Sequence, residues 1–310
     1  MEHHTAGDPI TGLKWTHKTT VNISRELRMA GLDVSPNTVG RLLKGLKFSL
    51  RVNHKKLAGS SNPYRNEQFE YINRMRKRFL REGLPVISID TKKKEMVGRF
   101  KNAGRTWERT PVLVNDHDFK KHATGTAIPW GLYEVGANRG QVFVGTSHET
   151  PAFAVTCLAR WWTNTGRRRY RPATRLLILA DSGGSSAARS RLWKHGLHTR
   201  FSSRFGVQVT VCHYPPGTSK WNPIEHRLFS EISKNWAGQP LESYETVLNF
   251  IRTTKTETGL RVNAAMLDGD YPTGVKLSKT EMAKVNLHRH HVLPMWNYTV
   301  MPGPASNAKL

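Results

Sequence analysis

The sequence predicts an α/β protein, a mixed sheet flanked by helices, preceded by a small N-terminal helix-turn-helix domain. Three observations carry this. From residue 84 onward short apolar runs of strand length recur, and in the later part they alternate with helix-length amphipathic segments, the pattern of parallel strands with helices packed on the sheet. Lys14 to Lys56 instead carries ten lysines and arginines against two acids, Glu26 and Asp33, with helical spacing of its apolar residues. A chain of 310 residues, 37% hydrophobic with nine tryptophans, is large and apolar enough for one good-sized core and an accessory domain. The boundaries drawn are 1–57 for the helix-turn-helix, 58–83 for a linker and connecting helix, 84–256 for the sheet domain and 257–310 for a C-terminal extension.

In order along the chain, Val21, Leu27 and Ala30 suit one helix that Gly31 ends. Ser35-Pro36 reads as an N-cap followed by proline at the first helical position. The helix it opens spaces Val39, Leu42, Leu43 and Leu46 on one apolar face and offers Asn37, Thr38, Arg41 and Lys44 on the other. A basic helix following another helix and a tight turn is the pattern that places its second helix in the DNA major groove. Gly59 to Pro63 is a linker by composition. Phe69, Ile72, Met75 and Phe79 then mark a connecting helix. Strands are predicted at 84–89, 128–134, 141–145, 175–180 and 207–213, with a hairpin loop at Gly136–Gly140. Helices are predicted at 149–162, 186–205, 221–236 and 243–253. The segment after Gly259 is weakly patterned and is expected to wrap the core.

Charge bounds the function. Lysine and arginine number 48 against 23 acids, a formal net charge of +25. Such a surface suits a polyanion, because neutralising phosphates releases condensed counterions. Two cysteines, Cys157 and Cys212, exclude a disulfide framework and a cysteine-rich zinc module. No apolar run approaches the ~18 residues of a membrane span, and Met1–Thr5 lacks an apolar signal core. The expectation is a cytoplasmic chain that works on nucleic acid.

Three carboxylates stand out. Asp90 and Asp181 each sit one residue past a buried strand, and in open α/β sheets sites collect at the carboxyl ends of strands. Either alone could be a turn former. Glu225 falls in the middle of the apolar arc made by Ile224, Leu228, Phe229, Ile232 and Trp236 on a helix drawn from Trp221. A carboxylate there costs several kcal/mol unless compensated. Compensation by an arginine would make it a buried ion pair; compensation by cations would make it a metal site completed by Asp90 and Asp181. Three hard oxygen donors suit Mg2+ or Mn2+, and a pair of such ions can drive in-line phosphoryl displacement.

The runs Ile89-Asp90-Thr91-Lys92-Lys93-Lys94-Glu95, Asp181-Ser182-Gly183-Gly184 and Pro215 to Arg227, with its Pro-Pro-Gly-Thr-Ser-Lys-Trp-Asn, resemble the DDE transposases of the ISAzo insertion-sequence group, also called Rhodopirellula-type. The likeness extends from about Gly7 to Pro302 and includes Trp296-Asn297-Tyr298. It implies a ribonuclease H-like catalytic fold that cuts double-stranded DNA at transposon ends and joins the freed 3′-hydroxyl to target DNA. It further implies two Mg2+ or Mn2+ ions held by Asp90, Asp181 and Glu225, a bacterial, nucleoid-associated setting, and a homo-oligomer handling two ends together. Members usually carry a further DNA-binding segment upstream, and Ser186 stands where asparagine is common. Two other readings stay open: a nuclease of the same fold that only hydrolyses, and a DNA-binding relic without chemistry.

Lys92, Lys93 and Lys94 are expected to send at least one ammonium to the scissile strand. Arg167, Arg168 and Arg169, after Trp161 and Trp162, form the densest basic run and read as a DNA-backbone edge. Lys220, one turn before Glu225, could meet phosphate. His226 reads as partly exposed and structural, the His288, His290 and His291 group as a basic tail segment, and both cysteines as reduced core residues.

Overall fold

The computed structural model describes residues 5–7, 14–16, 18–50 and 62–303; the linker residues 59–61 lie outside this set. The chain forms two compact units, Met1–Gly59 and Ser60–Leu310. Among the described residues no helix is long and apolar enough to cross a membrane.

In the first unit, β1 (Thr5–Gly7) pairs antiparallel with β2 (Lys14–Thr16). Two helices follow, α1 (Thr20–Met29) and α2 (Pro36–Gly45). Thr19 caps the first by accepting from the Asn22 amide at 3.2 Å, and Gly31, with φ +85°, turns the chain out of it. Ser35 caps the second, accepting from the Thr38 amide at 3.1 Å, with Pro36 in its first turn. The apolar faces differ from the predicted ones. Ile23 and Val39 are buried, whereas Val21, Leu42 and Leu46 are at least half exposed, because two short helices can cover only the residues where they cross.

The second unit opens with α3 (Arg65–Arg81), then β3 (Val86–Thr91), β4 (Glu95–Val97), β5 (Gly125–Glu134) and β6 (Arg139–Gly145). Helix α4 spans 151–169, with its turn at Trp162–Gly166 widened to π geometry. Strand β7 (Arg175–Asp181) leads to α5, 191–205, which is widened likewise at Leu197–Ser202. After β8 (Gln208–Tyr214), helix α6 begins at Pro223 and runs through Glu225–Phe229 to Asn235. Helix α7 (Tyr244–Thr253), β9 (Arg261–Met266), α8 (Lys279–Ala283), β10 (Leu287–Arg289) and β11 (Asn297–Val300) complete it.

One nine-stranded sheet organises this unit, in the order β10-β11-β8-β7-β3-β5-β6-β9, with β4 paired to β5. Strands β3, β5 and β6 are antiparallel neighbours, and β7 and β8 run parallel to β3. This is the predicted mixed sheet flanked by helices, in the ribonuclease H-like arrangement that the resemblance implies. Three strands come from beyond residue 256, so the segment drawn as an extension is built into the sheet rather than wrapped around it. Helices α4 and α5 bury Phe153, Trp161, Trp193 and Phe201 on one face. On the other, α6 and α7 bury Ile224, Leu228, Phe229, Ile232 and Val247 against β5 and β6, and α3 sets Ile72 and Phe79 on β3 and β7. Gly131 of β5 permits the close approach of α6: a Cβ there would lie 2.5 Å from the Phe229 ring and 2.9 Å from Ile224.

Candidate active site

The sheet register brings the two aspartates together. Ile89 of β3 is level with Ala180 of β7, so Asp90 and Asp181, one residue further along parallel neighbours roughly 4.8 Å apart, emerge side by side at the carboxyl ends. On the other side of β3, Asp90 is level with Gly131, the bare backbone on which α6 rests.

A buried latch fixes where α6 starts. The Asn222 amide nitrogen donates to Asp181 Oδ1 at 3.0 Å and to the Ile89 carbonyl at 3.3 Å. Its oxygen accepts from Ser88 Oγ at 2.5 Å, and Ser88 Oγ accepts from the Ile224 amide at 3.0 Å. The helix therefore begins at Pro223, two residues later than predicted, and Ser219–Trp221 forms a separate 3-10 turn. Glu225 follows in the π-widened first turn, close enough to accept a hydrogen bond from a protonated Asp90. The predicted arc around it is buried, with Ile224, Leu228 and Ile232 at 0% exposure.

The electrostatics are those of half-buried acids crowded together. Burial first, then the charge of Asp181 and that of Glu225, hold the Asp90 carboxyl well above its ordinary range, against the opposing Thr91 amide that donates to it at 2.8 Å. Burial raises Asp181 to about 6; the Asn222 hydrogen bond resists this and Glu225 adds to it. Among the described residues none of the three takes part in an ion pair, so the arginine-paired alternative for Glu225 is not what is found. Nor do three carboxylate, histidine or cysteine side chains among the described residues already stand as a closed coordinating cluster. The carboxylates are gathered but uncompensated, and an all-oxygen donor set in that state fits a hard divalent cation.

Beneath Asp181, His213 Nδ1 bonds to its backbone carbonyl at 2.8 Å, and His213 Nε2 to Tyr298 Oη at 3.1 Å. Tyr298 Oη also accepts from Trp193 Nε1 at 3.1 Å. Burial pushes His213 down to about 4, so it stands as a neutral strut. The neighbouring Asn297 exchanges amide hydrogen bonds with Gln68 at 2.6 and 2.8 Å. The Trp296-Asn297-Tyr298 run is thus structural support for the Asp181 strand.

The predicted basic residues divide. Lys92 is buried, its ammonium 3.0 Å from Glu95 and 4.4 Å over the Trp236 ring; Lys94 pairs with Glu149 at 3.4 Å. Lys93 is exposed and has no ion pair among the described residues. Lys220 is exposed and lies 4.2 Å over the Trp221 ring, which Arg65 covers at 4.5 Å. Arg167, Arg168 and Arg169 end α4 ahead of β7, at the opposite end of that strand from Asp181 and roughly 20 Å away. They do not border the acids, and Arg169 pairs with the buried Glu134. In the first unit Asn37, Arg41 and Lys44 are exposed, while Thr38 is half-buried in the Ser35 cap. His226 is exposed. His290 bonds to Tyr71 and Thr299, and His288 to Asn286. Both cysteines are buried and free.

Sequence reasoning missed Ser88, Asn222, His213 and Gly131. Asn222 carried a local signal, since asparagine before proline commonly opens a helix. Its partner Ser88 lies 134 residues away, and no local pattern reveals that pairing.

The sequence pattern of the Rhodopirellula transposase DDE domain family matches residues 1–302. No curated protein matches. Among solved structures, a Mos1 transposase paired-end complex with left transposon end is similar at 14% identity and TM-score 0.46, over 76% of this chain and 65% of that one. The Mos1 strand transfer complex is similar at 16% identity and TM-score 0.45, over 76% and 64%. A Mos1 mariner paired-end complex with Mn is similar at 13% identity and TM-score 0.43, over 76% and 65%. The chain spans about two thirds or slightly less of those solved chains.

Proposed function

The chain belongs to the Rhodopirellula transposase DDE family, and on that premise we propose that it cuts double-stranded DNA at transposon ends and joins the freed 3′-hydroxyl to target DNA. One observation carries the reading. Three acids from distant segments come together at the carboxyl end of the sheet with no ion-pair partner among the described residues, in a chain whose net charge is +25. Asp90, Asp181 and Glu225 would hold one or two Mg2+ or Mn2+ ions, whose Lewis acidity activates an attacking oxygen and stabilises a leaving one. The protein's own part is placement. The Asn222–Ser88 latch fixes the angle of α6 and the orientation of Asp181, and the parallel register fixes Asp90 beside it. Water is the first nucleophile: its oxygen bonds to phosphorus as the bond to the 3′-oxygen breaks, leaving a 3′-hydroxyl and a 5′-phosphate. That hydroxyl then attacks a target phosphodiester, displacing a new 3′-oxygen. Arg41 and Lys44 of α2, with Asn37 beside them, would contact DNA from the first unit, and Lys93 and Lys220 the strand near the acids. A homo-oligomer would bring two ends together.

Asp181→Asn is expected to lower Mn2+-supported cleavage of end-bearing DNA by roughly a thousandfold and leave DNA affinity nearly unchanged. Cleavage at the normal rate would remove Asp181 from the chemistry. Incubation with ends and a target should yield joined products; cleavage without joining would instead mark a hydrolytic nuclease.

A further inference from the structure

A cavity of about 980 Å³ opens from Asp90 and Asp181 and extends past the Gly183-Gly184 turn toward the last strands of the sheet. Its far part is cationic: Arg189, Arg191, Lys194 and Arg289 line it, and among the described residues none of them is in an ion pair. Lys194 is the unusual member. It is only 6% exposed, yet its ammonium has no carboxylate partner; it rests 5.0 Å over the Tyr298 ring. The other buried lysine among the described residues, Lys92, is matched by Glu95. A buried cation without a counter-charge is costly, and Arg289 adds like charge beside it, so that burial and Arg289 together push the Lys194 ammonium below its ordinary range. The counter-charge that would relieve this site has to arrive from the cavity.

The wall that carries Arg289 is held to the Asp181 loop by a small apolar cluster of Ala188, Leu293 and Trp296. The Trp296 carbonyl accepts from the His213 amide at 3.0 Å. Arg289 itself is braced, donating to the Pro294 carbonyl at 3.1 Å. Strand β10 lies three strands from β7, about 14 Å across the sheet, which is farther than one phosphate group can reach.

We infer that this cavity seats the phosphodiester backbone of a nucleic-acid strand running away from the reacting phosphate, with Lys194 and Arg289 as its anchors. This rests on the reading of the acids as the cleavage site, and it adds a binding role for residues beyond 256. A strand places successive phosphates along the trough, one near the acids and later ones at the cations. Free phosphate would satisfy only one end.

The test is the affinity of the full chain for a fluorescent single-stranded oligonucleotide of about eight nucleotides, measured in Mg2+ at several salt concentrations. Lys194→Met and Arg289→Ser should each weaken binding about tenfold and flatten the log–log salt dependence by about 0.7. Arg168→Ala, at the other end of the sheet, should change neither. Methionine in place of a buried unpaired lysine should not unfold the protein, and Arg289 is exposed, so one variant checks the other. The rise in melting temperature caused by Mn2+ should persist in both. Unchanged affinity and slope in both variants would overturn the inference, as would inorganic phosphate competing as well as the oligonucleotide at equal phosphate concentration. Lost oligonucleotide binding in these variants, beside a wild-type protein that cuts nothing, would sink the cleavage reading and leave the strand site standing.

Discussion

Near the start of β3, Glu134 is 2% exposed, and its two oxygens are taken up by the Arg169 guanidinium and, at 2.8 Å, by the Tyr170 hydroxyl. At the opposite end of the same strand, Asp90, Asp181 and Glu225 lie close enough to act on one another's charge, an amide bonds to Asp181, and among the described residues none of the three is in an ion pair. Both ends bury negative charge, and only one of them neutralises it. A compensated carboxylate is part of the scaffold; an uncompensated group of three is stored electrostatic repulsion that a divalent ion would relieve. The difference also shows what the arginine-rich end of α4 does in part for the fold. At least one of its members is committed to the fold.

Breaking the satisfied end should cost the most stability. Glu134→Ala leaves Arg169 and the Tyr170 hydroxyl without their partner, and urea unfolding should show a loss of about 3 kcal/mol, the low side of the usual range because Arg169 is 30% exposed. Stabilisation by Mn2+ should survive; its disappearance would mean that the two ends are coupled. A middle-sized effect is expected at Gly131, where an added Cβ meets Phe229. Gly131→Ala should cost about 1–3 kcal/mol and weaken Mn2+ binding by calorimetry, because α6 carries Glu225. Gly145→Ala forces a similar clash with Phe153, at 2.7 Å, on a helix, α4, that carries none of the acids. Equal weakening of Mn2+ binding by both would refute the special place of Gly131.

The pH dependence separates the ends further. In chelator, folded Asp90 keeps a proton that the unfolded chain, with an ordinary value of 3.8, has released. Its contribution is therefore present at low pH and lost as pH rises through the elevated folded value. The melting temperature should fall between pH 6.5 and 8.5 without metal, and Mn2+ should cancel the fall. His213 acts on the acid side. Held down to about 4 from 6.5, it contributes stability above 6.5 that is lost as pH drops toward 4. A flat profile in chelator from 6.5 to 8.5 would argue against the crowding of the acids. The smallest effect should come from Arg168→Ala, an exposed side chain bonded to the Asn164 carbonyl, within about 0.5 kcal/mol of the parent.

What could be read without coordinates follows from range. The five central strands are short and apolar enough to declare themselves, and the arc around Glu225 is set by helical periodicity alone. Strands β9 and β11 escaped because Arg261–Met266 buries only small or alternate residues, and Asn297–Val300 is four residues long with two polar members. The acids were legible because each breaks a local rule: a charge at a strand end, or inside an apolar stripe. Ser88, Asn222 and His213 break none. Their roles depend on partners brought near by the sheet register, as does the burial of Lys92, whose neighbours in the sequence are solvent-facing lysines.

The insertion of β11 between β8 and β10 has a consequence for how the molecule comes into being. Residues 297–300 leave the ribosome long after β3, β7 and β8, yet they pair with Val209–Cys212 on the outer side of β8 and brace His213 under Asp181. Until then β8 presents unsatisfied amides and carbonyls, the condition that invites pairing with foreign chains. The nascent chain is at its stickiest just before residues 297–300 emerge, and the support under Asp181 is among the last parts of the sheet to set.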